Sequence, residues 1–133
     1  MDVNNLLLGI LGLFLALFMM MQLVPMLLVR RMRGRQAPDM KAVLNDRQFQ
    51  ASRLLIYFWS PSCGMCRSVT PIIDELVKER DDVVSIDITQ HMELARAYRI
   101  MGTPALAIVE QGIIASVSLG ARTRPQILKM LEG

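Results

Sequence analysis

Histidine and cysteine are scarce in this chain of 133 residues, which contains one histidine and two cysteines. Cys63, Cys66 and His91 together fall short of the four ligands that a structural zinc ion takes. The two cysteines also enclose only two residues, so a disulfide between them would remove little entropy from the unfolded chain. These shortages argue against a metal centre and against a fold held together by disulfides.

An excess of one charge is missing from most of the chain. Four of the fifteen Lys and Arg residues lie in the first 35 residues, and the other eleven are matched by eleven Asp and Glu residues in residues 36–133. A neutral domain lacks the basic surface with which proteins bind phosphate backbones. We therefore predict no nucleic-acid partner, although the whole chain carries a net charge of +3.

Charged side chains are absent from residues 6–29, which read LLLGILGLFLALFMMMQLVPMLLV. At ~1.5 Å per helical residue, this run is long enough to cross a hydrocarbon core of ~30 Å. A cleaved signal peptide would have a basic start and a shorter apolar core, whereas this run follows MDVNN and precedes VRRMRGR. We predict one uncleaved transmembrane helix, which forms an anchor over residues 1–35 together with its basic flank.

The charges on either side of this run predict its orientation. Four arginines follow it, while Asp2 and the terminal amine precede it. The positive-inside rule then places the folded domain, residues 36–133, in the cytoplasm, with the protein held in the cell membrane by a single span. Arginines beside a span also suit anionic headgroups, so membrane lipid is the predicted partner of residues 6–35.

The spacing of apolar residues in residues 36–133 predicts an alternation of strands and helices. Residues 53–59, RLLIYFW, form an unbroken apolar run that is typical of a strand buried on both faces. From Met65 to about Arg80 the apolar residues recur at helical spacing, with Pro71 inside the helix. The whole predicted order is β, α, β, α, β, α, β, β, α, and it begins with a short strand at KAVL, residues 41–44. This order predicts an α/β fold with a mixed, mostly parallel sheet, helices on both faces and one antiparallel edge pair.

The two cysteines lie where the buried strand passes into the helix. Chemistry in α/β sheets gathers at the carboxyl ends of the strands, and Cys63 follows such an end. A helix N-terminus stabilises a thiolate, so Cys63 is the predicted nucleophile and the inward-facing Cys66 the predicted resolving thiol. Two ordinary buried thiols would leave the spacing, the strand end and the helix start unexplained, so a redox pair is favoured.

Four segments, in order, resemble the thioredoxin family from about Lys41 to the C-terminus. They are FWSPSCGMC around the cysteines, Pro71 in the following helix, GTP at residues 102–104 and GA at residues 120–121. The resemblance implies a thioredoxin fold and a thiol–disulfide oxidoreductase that reduces protein disulfides, receives electrons from an external dithiol and needs no cofactor beyond a Cys63–Cys66 disulfide. It also implies a cis-proline at Pro104, whereas the sequence alone equally allows a trans proline that opens a strand. The implied substrate-binding and supporting residues are Trp59, Gly64, Met65, Thr103 and Pro104.

The chain departs from the family pattern at two positions. Met65 stands where thioredoxins carry the proline of CGPC, which leaves the redox potential open because the residues between the cysteines influence it. Tyr57 stands where thioredoxins bury an aspartate beneath the second cysteine. A phenol with a reference pKa of about 10 is a poor proton acceptor at neutral pH, so Tyr57 is a candidate modulator of the Cys66 reaction.

Two alternatives remain open at the level of sequence. One is an anchored redox protein outside the cytoplasm that serves cytochrome or envelope-protein maturation. The other is a redox-inactive adaptor or a metal-handling module that uses Cys63, Cys66 and His91.

Overall fold

A computed structural model describes residues 2–133 of the chain. A long N-terminal helix precedes a four-stranded sheet whose strand order is β2-β1-β3-β4. The elements, in chain order, are α1 (Val3–Arg30), α2 (Asp46–Gln50), β1 (Arg53–Trp59), α3 (Cys66–Glu79), β2 (Val83–Asp87), α4 (Met92–Ala97), β3 (Ala105–Glu110), β4 (Ile113–Leu119) and α5 (Arg124–Glu132).

Strand β1 is central and buried on both faces, as its apolar run predicts. Its five middle residues, Leu54 to Phe58, are all buried. Alternate side chains point to opposite faces of a strand, so Leu54, Ile56 and Phe58 belong to one core cluster, which also contains Tyr98. Leu55 and Tyr57 belong to the other, where α3 and α5 pack. Helices therefore cover both faces of the sheet.

The sheet is mixed, as predicted. Two of its three strand pairings are antiparallel, so the prediction that most of the sheet is parallel is wrong. β1 pairs with β2 in parallel and with β3 in antiparallel orientation, and β3 pairs with β4 in antiparallel orientation. The hairpin of β3 and β4 turns through Gln111 and Gly112, both with positive φ, a conformation that matches strand twist. The predicted strand at KAVL is also wrong, because residues 41–43 form a turn.

Polar caps fix the ends of two short helices. The Asn45 side chain accepts from the Gln48 backbone N–H and the Gln48 side chain accepts from the Asn45 N–H, which is a capping box at the start of α2. Thr123 and Gln126 form the second box, at the start of α5, as their spacing predicts. These boxes satisfy backbone N–H groups that a helix start leaves free.

Helix α1 is exposed along most of its length and packs against the domain near its C-terminal end. Three of its residues near that end, and Met32 in the turn that follows, are less exposed than the rest of the helix, and they recur at the i, i+3, i+4, i+7 spacing of one helical face. These residues are Pro25, Leu28, Val29 and Met32. Met32 belongs to the core cluster on that side of the sheet. The predicted span, residues 6–29, thus includes residues that contact the domain.

The segment after α1 hydrogen-bonds to the start of β4. The Gly34 N–H donates to the Ile114 carbonyl at 2.7 Å, and the Ile114 N–H donates to the Arg35 carbonyl at 2.8 Å. Gln36 forms an isolated antiparallel bridge with Ile113. Residues 34–37 therefore extend one edge of the sheet and fix where the helix leaves the domain.

Candidate active site

Cys63 and Cys66 form a disulfide at the junction of β1 and α3. Cys63 lies in the loop after β1, and Cys66 is the first residue of α3. Their Cα atoms are 5.3 Å apart. Cys63 is half-buried, whereas the Cys66 side chain faces the interior and is 2% exposed. An approaching molecule can therefore reach the sulfur of Cys63 but not that of Cys66.

One backbone donor at the start of α3 contacts the sulfur of Cys63. The Cys66 N–H donates to Cys63 Sγ at 3.1 Å, and the Cys63 N–H donates to the Ser60 carbonyl at 3.1 Å. The first N–H groups of a helix have no partner inside the helix and carry a partial positive charge. They are suited to stabilising a thiolate on Cys63 after the disulfide opens.

Tyr57 lies beneath the first turn of α3. Its hydroxyl is 3.5 Å from the Cys66 carbonyl oxygen and 2.9 Å from Thr70 Oγ1. Burial raises the pKa of Tyr57, the hydrogen bond with Thr70 lowers it, and the nearby charge of Asp74 raises it, with burial the largest of the three. Tyr57 is therefore neutral at physiological pH and is not a proton acceptor for Cys66.

The Thr103–Pro104 peptide bond is cis, and it lies in the loop before β3. Thr103 Oγ1 is 3.4 Å from Ser60 Oγ, which links this loop to the one that carries the cysteines. The Gly120 N–H donates to the Pro104 carbonyl at 2.8 Å. Three of the four segments that resemble the family, around residues 63, 103 and 120, thus meet at the end of the sheet where β1 ends and β3 begins.

The other predicted site residues in this segment lie within four residues of Cys63 in the chain. Trp59 ends β1 and packs half-buried against the cluster that contains α3 and α5. Gly64 and Met65 form the turn between the cysteines, and Met65 is 58% exposed. Sequence analysis missed Ser60 and Thr70; the position of Thr70, one helical turn after Cys66, was the available signal for its contact with Tyr57.

His91 lies at the start of α4, away from the disulfide in the chain, and lines a cavity with Asp39 and Glu93. Within residues 2–133, no group of three or more His, Cys, Asp or Glu side chains is arranged to hold a metal ion. The geometry at the cysteines is that of a pair whose disulfide can be reduced and formed again.

Comparison with known proteins points to one family. The thioredoxin family model matches residues 38–133. The chain is 29% identical over 94 residues to thioredoxin of Bacillus subtilis, an alignment that covers 65% of this chain and 90% of that protein. It is 30% identical over 82 residues to thioredoxin 1 of Synechococcus elongatus, covering 59% of this chain and 77% of the relative.

A solved structure shows the same fold. A mutant thioredoxin from Halobacterium salinarum superposes with a TM-score of 0.61 at 24% identity, and the match covers 71% of this chain and 84% of that one. The family match extends over the sheet, both cysteines and the loop that holds Pro104. We conclude that the chain belongs to the thioredoxin family and is a thiol–disulfide oxidoreductase with a redox-active Cys63–Cys66 pair.

Proposed function

We propose that this protein is a membrane-anchored thioredoxin that reduces disulfides in other proteins. The observation that carries the proposal is the Cys63–Cys66 disulfide at the start of α3, with the first sulfur accessible and the second buried. That asymmetry assigns different roles to the two residues. The accessible Cys63 attacks the substrate disulfide, and the buried Cys66 attacks the sulfur of Cys63 in the mixed disulfide.

The reaction has two exchange steps. The Cys63 thiolate attacks one sulfur of a substrate disulfide, which forms a mixed disulfide and releases the other substrate sulfur as a thiolate. The Cys66 thiolate then attacks Cys63 Sγ, closes the internal disulfide and releases the second substrate thiolate. Two electrons pass to the substrate, whose thiolates take up protons from water. An external dithiol donor returns two electrons and reopens the Cys63–Cys66 bond.

The loops around the disulfide are suited to an extended substrate segment. Thr103 and Pro104 precede β3 at the same edge as the cysteines, and the hydroxyl of Thr103 contacts that of Ser60. A backbone in this position can pair with a substrate strand by β-augmentation. The exposed Met65 and the half-buried Trp59 supply apolar surface beside it. Gly64 leaves the turn open, since no atom lies within 4 Å of the position a Cβ would take.

Helix α1 supports the anchoring part of the proposal. Its 28 residues are long and apolar enough to cross a membrane, with a mean hydropathy of 2.5 over its most apolar window, none of which is buried in the protein. Anchoring raises the effective concentration of the domain near membrane-bound partners. The arginines after α1 favour the cytoplasmic side, where the reducing environment would keep the cysteines as thiols.

A trapping experiment tests the proposed activity. In a Cys66→Ser variant of the full chain, Cys63 can attack a substrate but nothing resolves the product, so mixed disulfides should accumulate on the membrane fraction and disappear on treatment with dithiothreitol. The matched Cys63→Ser variant should trap nothing, because Cys66 is buried. Equal trapping by both variants, or by neither, would contradict the assigned roles.

A further inference from the structure

The last turns of α1 hold the helix against β4. The packed stripe consists of Pro25, Leu28 and Val29 of the helix and Met32 in the turn that follows, and Val29 and Met32 are 7% and 4% exposed. The helix contacts β4, and its packed end is followed at once by the hydrogen bonds of Gly34 and Arg35 to that strand. This double attachment fixes the direction in which the rest of the helix leaves the domain.

That direction takes α1 past the active-site edge, by which we mean the end of the sheet where the loops of Cys63 and Pro104 lie. Residues Leu17, Met20, Met21, Val24 and Pro25 of the helix line a groove of about 530 Å³ together with Met101, Gly102 and Leu119. Leu119 is the last residue of β4, and Gly102 precedes the Thr103–Pro104 bond by one residue. The helix therefore runs beside the loop that contributes Pro104 to the active site.

The residues of the groove lie at the depth of the outer part of the hydrocarbon core, where the acyl chains begin. The last residues of the predicted span, 25–29, pack partly on the domain. We therefore take a crossing of ~20 residues that starts at the first residue of α1, which ends near Gln22, the one clearly polar side chain of residues 6–29. Leu17 then lies ~8 Å inside the hydrocarbon core at ~1.5 Å per residue. This is the ~5–10 Å to which interfacial apolar groups enter a bilayer. Met101, which shares the groove with Leu17, is 61% exposed in the protein alone.

Basic residues border the same edge. Arg99 is exposed two residues before Met101, and Arg122 follows Gly120 by two residues and lines the cavity between α1 and β4. Arg30 lines that cavity as well. An apolar surface bordered by arginines complements a bilayer with anionic headgroups, because the headgroups meet the charges while the chains meet the apolar side chains.

We propose that the active-site edge of the domain rests on the bilayer, with lipid chains filling the groove between α1 and the Met101–Gly102 loop. The proposal rests on the anchoring of α1 put forward above, and it adds an orientation to it. The Cys63–Cys66 pair then faces the membrane surface, so its substrates are disulfides held close to that surface.

Tryptophan reporters in brominated vesicles test this orientation. Trp59 is the single tryptophan, so a Trp59→Phe background allows one reporter at a time in the full chain: Met101→Trp at the groove, Phe14→Trp in the helix, or Phe49→Trp in α2. Phe49 is 57% exposed, a fraction similar to the 61% of Met101. It precedes β1, at the opposite end of the sheet from the cysteines. The vesicles contain phosphatidylcholine and phosphatidylglycerol, with bromine on the acyl chains or without.

We expect brominated chains to quench most of the emission of the Met101→Trp and Phe14→Trp reporters. The emission of the Phe49→Trp reporter should be unchanged. Quenching in the helix without quenching at Met101 would overturn the orientation and leave the anchoring intact. No quenching in the helix would overturn the anchoring itself. A blue shift at Met101 that follows protein density and ignores bromination would mean that a second copy covers the groove, which also overturns the proposal.

The unmodified chain gives a second measurement that does not depend on the reporter variants. Its native Trp59 ends β1 at the active-site edge and is half-buried. Brominated chains should quench it more strongly than they quench the Phe49→Trp reporter. Equal quenching of the two would contradict a domain that faces the bilayer with this edge.

Discussion

The hydroxyl of Tyr57 lies under the backbone carbonyl of Cys66, at 3.5 Å, and forms a shorter hydrogen bond, 2.9 Å, with Thr70 Oγ1. Tyr57 is fully buried, and no charged side chain is buried anywhere in residues 2–133. The side chains buried beneath the resolving cysteine are therefore uncharged, and the charge of Asp74, which raises the pKa of Tyr57, belongs to an exposed residue. Cys66 must lose its proton to water or to a substrate group when it attacks the mixed disulfide.

Replacing Tyr57 with aspartate should speed that step. Burial raises the pKa of a carboxyl, which turns it into a proton acceptor at neutral pH. Tyr57→Asp should therefore resolve a preformed mixed disulfide faster at pH 7, as measured by stopped-flow fluorescence of Trp59. The buried carboxyl should lower the free energy of unfolding by about 1–3 kcal/mol.

The Tyr57→Phe variant is the control for this prediction, because it keeps the ring and removes the hydroxyl. It should resolve the mixed disulfide at the rate of the unmodified protein. If Tyr57→Asp and Tyr57→Phe gave the same rate, proton transfer from Cys66 would not limit turnover.

Alkaline pH should destabilise the domain through the same tyrosine. Burial raises the pKa of Tyr57 above its ordinary value, so the folded state holds the phenolic proton more tightly than the unfolded state does. This contribution is fully present below about pH 10 and is lost as the pH rises through the folded pKa. Urea unfolding between pH 8 and pH 11 should show a steeper loss for the unmodified chain than for Tyr57→Phe. Parallel slopes would mean that the Tyr57 proton is held equally in both states.

Removal of the accessible sulfur should abolish activity. The full chain in detergent should reduce the interchain disulfides of insulin when a dithiol is supplied, and Cys63→Ser should lower this rate to the background of the dithiol alone. Met65→Pro is the matched change in the turn, and it should retain activity with a shifted redox potential. Residual turnover in Cys63→Ser would contradict the assignment of the nucleophile.

The side of the membrane can be read from the reactivity of Cys63. The arginines after α1 predict a cytoplasmic domain, so a membrane-impermeant maleimide added to reduced, intact cells should leave Cys63 unlabelled. Permeabilised cells should show labelling, which confirms that the thiol reacts. Labelling of intact cells would place the domain outside the cytoplasm and would require electrons to be delivered across the membrane.

The packing of α1 and of the turn after it on the sheet predicts that the end of the anchor contributes to the stability of the domain. Met32→Ala removes a side chain that is 4% exposed, and deletions of this kind cost about 2–5 kcal/mol. Met26→Ala removes one that is 51% exposed and should cost less than about 0.5 kcal/mol. Denaturant unfolding of both variants in detergent checks this. Equal effects would show that the helix end moves freely beside β4.

Patterns that depend on neighbours along the chain were predictable from the sequence. The apolar run predicts that β1 is buried on both faces, and the helical spacing after Met65 predicts one buried face of α3; both elements are present, with Pro71 inside α3. The Thr123 and Gln126 capping box follows from a spacing of three residues. The position of Tyr57 beneath Cys66 was implied by the resemblance to the thioredoxin family, since strand alternation alone does not say which face of β1 the helix α3 covers.

Contacts between distant segments were not predictable in the same way. The apolar residues of β1 and β3 do not specify whether the two strands pair in parallel or antiparallel orientation. The structure shows that the pairing is antiparallel. Helix α1 is apolar on every side, so its sequence does not distinguish the stripe that contains Val29 from lipid-facing residues. KAVL is too short a segment for its apolar residues to decide between a strand and the turn that it forms.

The pairing of residues 34–37 with β4 has a consequence for the solubility of the domain. β4 is an edge strand of the sheet, and unpaired edges are templates on which a second chain can add a strand and begin to aggregate. The backbone of Gly34, Arg35 and Ala37 occupies the first half of that edge. A fragment cut at residue 38 would retain the whole family match and leave this edge bare, so the tether also protects the domain from edge-to-edge aggregation.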